Sequence, residues 1–398
     1  FVLIVIVMGY FIYALFFRTP TPPVTTPGAT TTPGAGGLPT AQPGTGQIVE
    51  PTGPTQLPGT TEDLPRPSAS ETAVGGLTKA VELNKTPSLG STLDSNGRDL
   101  QYYNQSDGKF YRIDKNGQIS AMSDKVFHSV EKVTWSRNKN KAILEYPDGA
   151  NILYDFDANR QITLPQHWED FNFAPNSDQI VMKSIGLDPA NRWLAVTNDD
   201  GSRVQIIEDI GNNADAVIPS WSPNNQSVAM YTEGIDFDRQ EVFFLGLNDE
   251  NFKSTVVVGR NFQPLWEPTG KKLVYSVYSS DNDYKPKLWV VNAEGESIGS
   301  GRMSLNIETW ADKCTFAGSN DLYCAVPENL PDGAGLFPDL AKTTTDHLYK
   351  INPTTGLKKK IAIPDGNYNM SNLIVSDDGT QLYFTDDSTK RIYRIRLK

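Results

Sequence analysis

Histidine and cysteine are almost absent: the 398 residues hold three His and two Cys. That count excludes a metal site built from a Cys/His cluster. Positive charge is also in short supply. The 36 Lys and Arg are outnumbered by 47 Asp and Glu, a formal net charge of -11, so the electrostatic basis for sequence-independent nucleic-acid binding is missing. No glycine-rich motif is present that would cradle a phosphate, and apolar residues do not recur at the spacing that helical repeats need.

One long uncharged run does occur. FVLIVIVMGYFIYALFF fills residues 1–17 and is followed by Arg18 and Pro20. As a helix it would span about 25 Å, the short limit for crossing a bilayer. The reading is a single-pass transmembrane helix over 1–18. Because the run opens on Phe1 without an initiator Met, its start is expected to be truncated or processed. Two alternatives are weaker. A cleaved signal peptide needs a small-x-small site that ALFFRTP does not offer. Pilin-like chains also begin with Phe, but they carry Glu at the fifth position, where this chain has Val5. The expectation is therefore a chain that meets the membrane through residues 1–17, with its N-terminus cytoplasmic and the rest at the cell surface or in the periplasm.

From residue 19 to about 72 the composition changes. Between Thr19 and Ser70 stand 12 Pro, 13 Thr and 8 Gly, with no periodicity to bury and few helix or strand formers, so this segment reads as a disordered Pro/Thr/Gly linker.

Beyond residue 75 a phrase recurs. PSWSPNNQSVAMY at 219–231 is echoed by PLWEPTGKKLVYS at 264–276. Aligned copies anchor on Trp135, Phe173, Trp221 and Trp266, with weaker copies at Leu93, Phe316 and Val375. The spacings of 42, 38, 48, 45, 50 and 59 residues suit four-stranded blades, and the short β-branched runs between them suit strands. Each phrase reads as an inner strand ending in the anchor, a tight turn set by Pro and by Asn or Gly, and a second strand. LDPANRWLAVT at 187–197 also matches but follows Phe173 too closely, and reads as the third strand of that blade.

This pattern resembles TolB-like and WD-repeat-like bacterial β-propellers, whose repeats carry W-S-P-D-G before a short apolar strand. The resemblance implies an all-β, seven-bladed propeller over 75–398 and says little about function. Asn138, Asn176, Asn224 and Thr269 stand where the family's turn Asp is usual, so no role of that carboxylate carries over.

The last blade contributes only three strands before Lys398, so LTKAVELN at 77–84 is expected to supply the fourth and close the ring. By the same alternation, the N-terminal segment should arrive on the face of the WSPNN turns. The longest loops should share the opposite face: TEGIDFDRQ, YSSDNDYKPK and the insertion at 326–346. Binding residues favour such loops, and Asp236, Asp238, Asp281, Asp283, Leu336, Phe337 and Leu340 are the candidates. Alternatively, the insertion folds back over a sheet edge. Cys314 and Cys324 lie symmetrically about Ser319 and are expected to form a disulfide, which would place the domain in an oxidising compartment; two reduced core cysteines are the alternative.

Chemistry is harder to find. GESIG at 295–299 matches the hydrolase elbow around Ser297 but lacks the strand-turn-helix setting, and His347 falls in another repeat. No catalytic residue, metal site or cofactor is assigned. Calcium on the paired loop aspartates is the one exception kept open, although neither pair completes an EF-hand pattern. The expected function is an extracytoplasmic propeller acting as a non-enzymatic scaffold that binds a protein, peptide or glycan partner, with no nucleic acid. A calcium-dependent hydrolase or lyase with a site in the central channel is the alternative.

Overall fold

A computed structural model describes residues 68–398. The anchor expected at 1–18 and the linker up to residue 67 lie outside the described residues. Among those described, no helix is long and apolar enough to cross a membrane.

The described chain is a seven-bladed β-propeller of seven sheets, antiparallel except for one added edge strand, with only short 3-10 turns as helical elements. The inner strands run Ser88–Leu93, Lys132–Trp135, Trp168–Phe173, Val217–Pro219, Arg260–Trp266, Cys314–Phe316 and Met370–Val375. Every anchor closes its inner strand, or follows it closely in the case of Trp221. Arg192–Asn198 is the third strand of blade three, as its spacing required. Hydrophobic material is divided into seven wedges, one between each pair of neighbouring blades. Tyr103, Phe110 and Leu144 fill the wedge between blades one and two; Leu100, Tyr102, Tyr383 and Ile392 fill the one between seven and one. Second strands are therefore covered on both faces, which is why KLVYSVY at Lys272–Tyr278 is an unbroken buried run and does not alternate.

Some anchors also staple blades together. The Trp135 indole N–H donates to the Gly90 carbonyl of blade one at 2.6 Å, and that of Trp266 to the Ser220 hydroxyl of blade four at 3.1 Å. The turn after each anchor contains one left-handed residue: Gly97, Lys139, Ser177, Asn225, Gly270, Gly318 and Gly379. Four blades use glycine there. The other three, Lys139 included, accept a strain of about 1 kcal/mol.

The ring closes as the sequence implies. Ala80–Glu82 pairs antiparallel with Ile392–Arg396 as the outer strand of blade seven. The path leading to it differs from expectation. Before reaching Ala80 the chain runs along the outer edge of blade six, where Leu77–Thr78 pairs parallel with Ile363 and Pro364 as a fifth strand. Residues 70–79 therefore reach the ring along its rim between blades six and seven, where the Ala73 amide donates to the carbonyl of Arg396 at the end of the third strand of blade seven. Asn84 locks the closing strand. Buried, it accepts a hydrogen bond from the Ile392 amide at 2.8 Å and donates to the Thr86 carbonyl and the Ser88 hydroxyl. Asn84→Ala leaves the Ile392 amide without its partner, and denaturant unfolding is expected to show a loss of about 1–3 kcal/mol.

The cysteines face each other across the blade-six hairpin and are disulfide-bonded, with Cα atoms 4.1 Å apart.

Candidate functional site

Antiparallel blades place two kinds of connection on each face. One face carries the turns between first and second strands. The other carries the loops between second and third strands, together with the links from each outer strand to the next inner one. On this loop face, blades four, five and six have their loops joined into one surface. Asp238 accepts hydrogen bonds from the Ser280 amide and hydroxyl at 3.1 and 2.8 Å. The Phe237 ring meets Tyr284 edge-on, and Tyr284 accepts the Gly335 amide through its carbonyl. The Asp283 carbonyl accepts the Gly333 amide, and Lys285 pairs with Asp332 at 2.8 Å. A Cβ on Gly335 would lie 2.5 Å from that of Tyr278, so this crossing needs glycine.

These contacts sort the expected site residues. Asp236 and Asp238 serve the loops themselves, Asp236 through Arg239 at 2.6 Å, and Asp281 sits in the 3-10 turn Ser280–Asn282. The four aspartates do not converge, and among the described residues no group of three or more His, Cys, Asp or Glu is placed to hold a metal. The apolar candidates behave differently. Leu336, Phe337 and Leu340 are 40%, 65% and 48% exposed, and Phe237, on the adjoining loop, is 70% exposed. Ala334 and Ala341 meanwhile anchor the insertion on buried Trp310. The insertion thus folds inward over the ring, and not over a sheet edge.

Its 3-10 turn, Pro338–Ala341, borders a cavity of about 780 Å³ whose walls include Lys132 of blade two, Gln263 of blade five, Asp312 and Lys313 of blade six, and Asn369, Asn372 and Asp387 of blade seven. Side chains from blades so far apart around the ring can share one cavity only at the axis. The cavity is the loop-face mouth of the central channel.

Polar networks hold its wall. Lys313 pairs with Asp346 at 2.7 Å and donates to the Asn369 side-chain oxygen at 2.7 Å, and Asn369 in turn donates to the Ala341 carbonyl at 2.7 Å. Across the channel Asp170 takes Lys183 at 2.6 Å and Lys132 at 3.6 Å. Burial raises the Asp170 carboxyl, but the two lysines outweigh it and hold the group below its usual range. Asp312 goes the other way. It is open to channel water yet walled by protein, and burial raises its carboxyl despite Lys313, with Asp387 adding to the rise.

The axial residues escape a reading based on strand pattern, because bulges aim several of them. Inner strands of blades one, three and seven shift register around Gly90, Asp170 and Asn372, all with positive φ. Asn372 then donates to the Ser91 hydroxyl across the closure at 2.7 Å. A signal for these bulges does exist: Gly, Asp or Asn stands three residues before the anchor in those blades.

Ser297 sits in a turn joining two strands, its hydroxyl donating to the Glu294 carbonyl at 2.6 Å. That is not an elbow geometry.

No family model and no curated protein sequence matches the chain. Solved structures do. An oligogalacturonate lyase in complex with manganese shares 12% identity over 80% of this chain and 93% of its own, with a TM-score of 0.51. The Cps50 (Swd1) β-propeller domain of Myceliophteria thermophila shares 11% over 80% of this chain and 100% of its own, TM-score 0.52. Hydrazine synthase of Kuenenia stuttgartiensis shares 12% over 79% of this chain and 96% of its own, TM-score 0.51. At such identities the likeness is one of fold alone. Lyase, synthase and Swd1 domain share this architecture while differing in what they do.

Proposed function

We propose that the chain is a membrane-tethered, extracytoplasmic binding module that holds a protein, peptide or glycan partner of the cell envelope on the loop face of blades four to six. The observation that carries this reading is the exposed apolar ridge of Phe237, Leu336, Phe337 and Leu340, mounted on three loops hydrogen-bonded to one another beside the polar axial cavity. Apolar side chains held on a rigid support lose little entropy when a partner covers them. The tether rests on the uncharged run at 1–17, and the Cys314–Cys324 disulfide suits an oxidising compartment.

The test pans the full chain, in lipid nanodiscs, against displayed peptides and a glycan array, in parallel with a Phe337→Ser, Leu340→Ser variant. Both positions are exposed, so the thermal midpoint should stay put. Ligands selected on the parent should bind the variant on the order of 30-fold more weakly, the scale of an interface anchor. Undiminished binding by the variant would sink the choice of this ridge.

A second reading, a channel enzyme, is favoured by one observation: the raised Asp312 carboxyl opens into the cavity next to Asp387, a setting suited to proton transfer. It requires Asp312→Asn to abolish turnover of any ligand found.

A further inference from the structure

Six charged side chains stand in the wall of the loop-face cavity: Lys132, Asp312, Lys313, Asp339, Lys342 and Asp387. Five of them are committed to salt bridges. Lys132 pairs with Glu145 at 3.3 Å and with Asp170 at 3.6 Å, Lys313 with Asp346 at 2.7 Å, Lys342 with Asp339 at 2.8 Å, and Asp387 with Lys390 at 3.0 Å. Asp312 is the exception. Among the described residues its carboxylate enters no salt bridge and no hydrogen bond with another side chain, and it stands exposed to the cavity.

A second polar group in the same wall is uncommitted. Trp310 is only 7% exposed and lines the cavity, and its indole N–H donates to no group among the described residues. Pro338 and Ala341 of the insertion complete an apolar side. These parts form one unit, because Lys313 follows Asp312 directly and Asn369 joins the Lys313 ammonium to the Ala341 carbonyl. Acid and apolar side are thus held at a fixed separation, which lowers the cost of ordering them around a ligand. At about 780 Å³ the cavity is of small-molecule size, within the range of about 300–1,000 Å³ usual for such sites, and larger than a single lysine side chain would fill.

We infer that the loop-face mouth of the channel binds a small organic amine, whose ammonium pairs with Asp312 while its apolar body packs against Trp310, Pro338 and Ala341. The pairings in the wall set the sign of the ligand. Each lysine there already has its carboxylate, so an anion must displace one, whereas a cation finds Asp312 open. The Asp312 carboxyl is raised by burial, with Asp387 adding to the rise, and a bound ammonium offsets both effects. None of Phe237, Leu336, Phe337 and Leu340 lines this cavity. The inference therefore stands or falls apart from the ridge, and it requires no turnover.

Equilibrium dialysis of the full chain in nanodiscs of zwitterionic lipid tests this, with empty nanodiscs as the blank. The probe is phenethylamine. Of its counterparts, 2-phenylethanol lacks the charge, hydrocinnamate reverses it and methylammonium lacks the apolar body. Phenethylamine should bind saturably, and the other three on the order of tenfold more weakly. Asp312→Asn should weaken phenethylamine about tenfold, the scale of one charge-assisted hydrogen bond. Asp312 supports no other side chain, so the thermal midpoint of this variant should not fall. Asp312→Glu keeps the charge and should retain most of the affinity. No saturable binding of phenethylamine, equal binding of 2-phenylethanol or methylammonium, tighter binding of hydrocinnamate, or unchanged phenethylamine affinity in Asp312→Asn would overturn the assignment.

Discussion

Asp346→Ala is expected to cost about 3–5 kcal/mol, read as a fall in the midpoint of denaturant unfolding. The reason lies less in the attraction lost than in the charge left behind. Asp346 is fully buried and Lys313 is 8% exposed, so truncating the acid strands an ammonium with only the Asn369 oxygen for company. Asp346 also accepts the Met370 amide at 2.6 Å, which ties the first residue of the third strand of blade six to the inner strand of blade seven. Replacing both partners together, as Lys313→Met with Asp346→Leu, should recover most of the loss, because no unpaired charge then remains. A double variant as unstable as the single one would show that packing, and not charge, sets the cost. The pH dependence has a definite sign. Burial raises the Asp346 carboxyl against the pull of Lys313, so the folded chain binds this proton more tightly than the unfolded chain. The contribution of this group to stability therefore falls as the pH rises through the raised value, and Asp346→Asn should remove that slope.

Removing the Cys314–Cys324 disulfide, by Cys314→Ala with Cys324→Ala, should cost about 3 kcal/mol from the loop-closure entropy returned to the unfolded chain. The two residues are 10 apart in sequence and opposite each other in the blade-six hairpin. Both are buried among Leu322, Ile351 and Leu288, at the interface with blade five. Alanine there removes the bond while leaving an apolar side chain. Thermal unfolding with and without reductant checks it: reductant should lower the midpoint of the parent and leave the variant unmoved. An equal response in both would place the stabilisation elsewhere.

Much of the fold was legible because a blade is a local object. An aromatic, a Pro-Asn turn and a β-branched run specify a hairpin within about a dozen residues, and seven hairpins at propeller spacing admit few other architectures. The disulfide was legible for the same reason, since Cys314 and Cys324 flank one turn. The closing strand Ala80–Glu82 followed from a blade one strand short. Its approach along blade six did not, because the parallel pairing of Leu77–Thr78 joins residues far apart in sequence and leaves no periodic trace.

The candidate sites divide in the same way. Leu336, Phe337 and Leu340 stood out in sequence as apolar residues in a long insertion, and the structure places them in the open. The aspartates of the neighbouring loops looked alike in sequence, but Asp236 and Asp238 proved to be committed to Arg239 and Ser280.

Sequence alone determined the blades, their number, the disulfide and the strand that closes the ring, since each is written in short-range spacing. Tertiary structure decided what the axis holds. Asn372 reaches Ser91 across 281 residues, and Lys132 shares a cavity with Asp387. Such neighbours are set by ring closure and by bulges that turn single inner-strand residues toward the channel. No local periodicity encodes which side chains meet when the first blade is brought against the last.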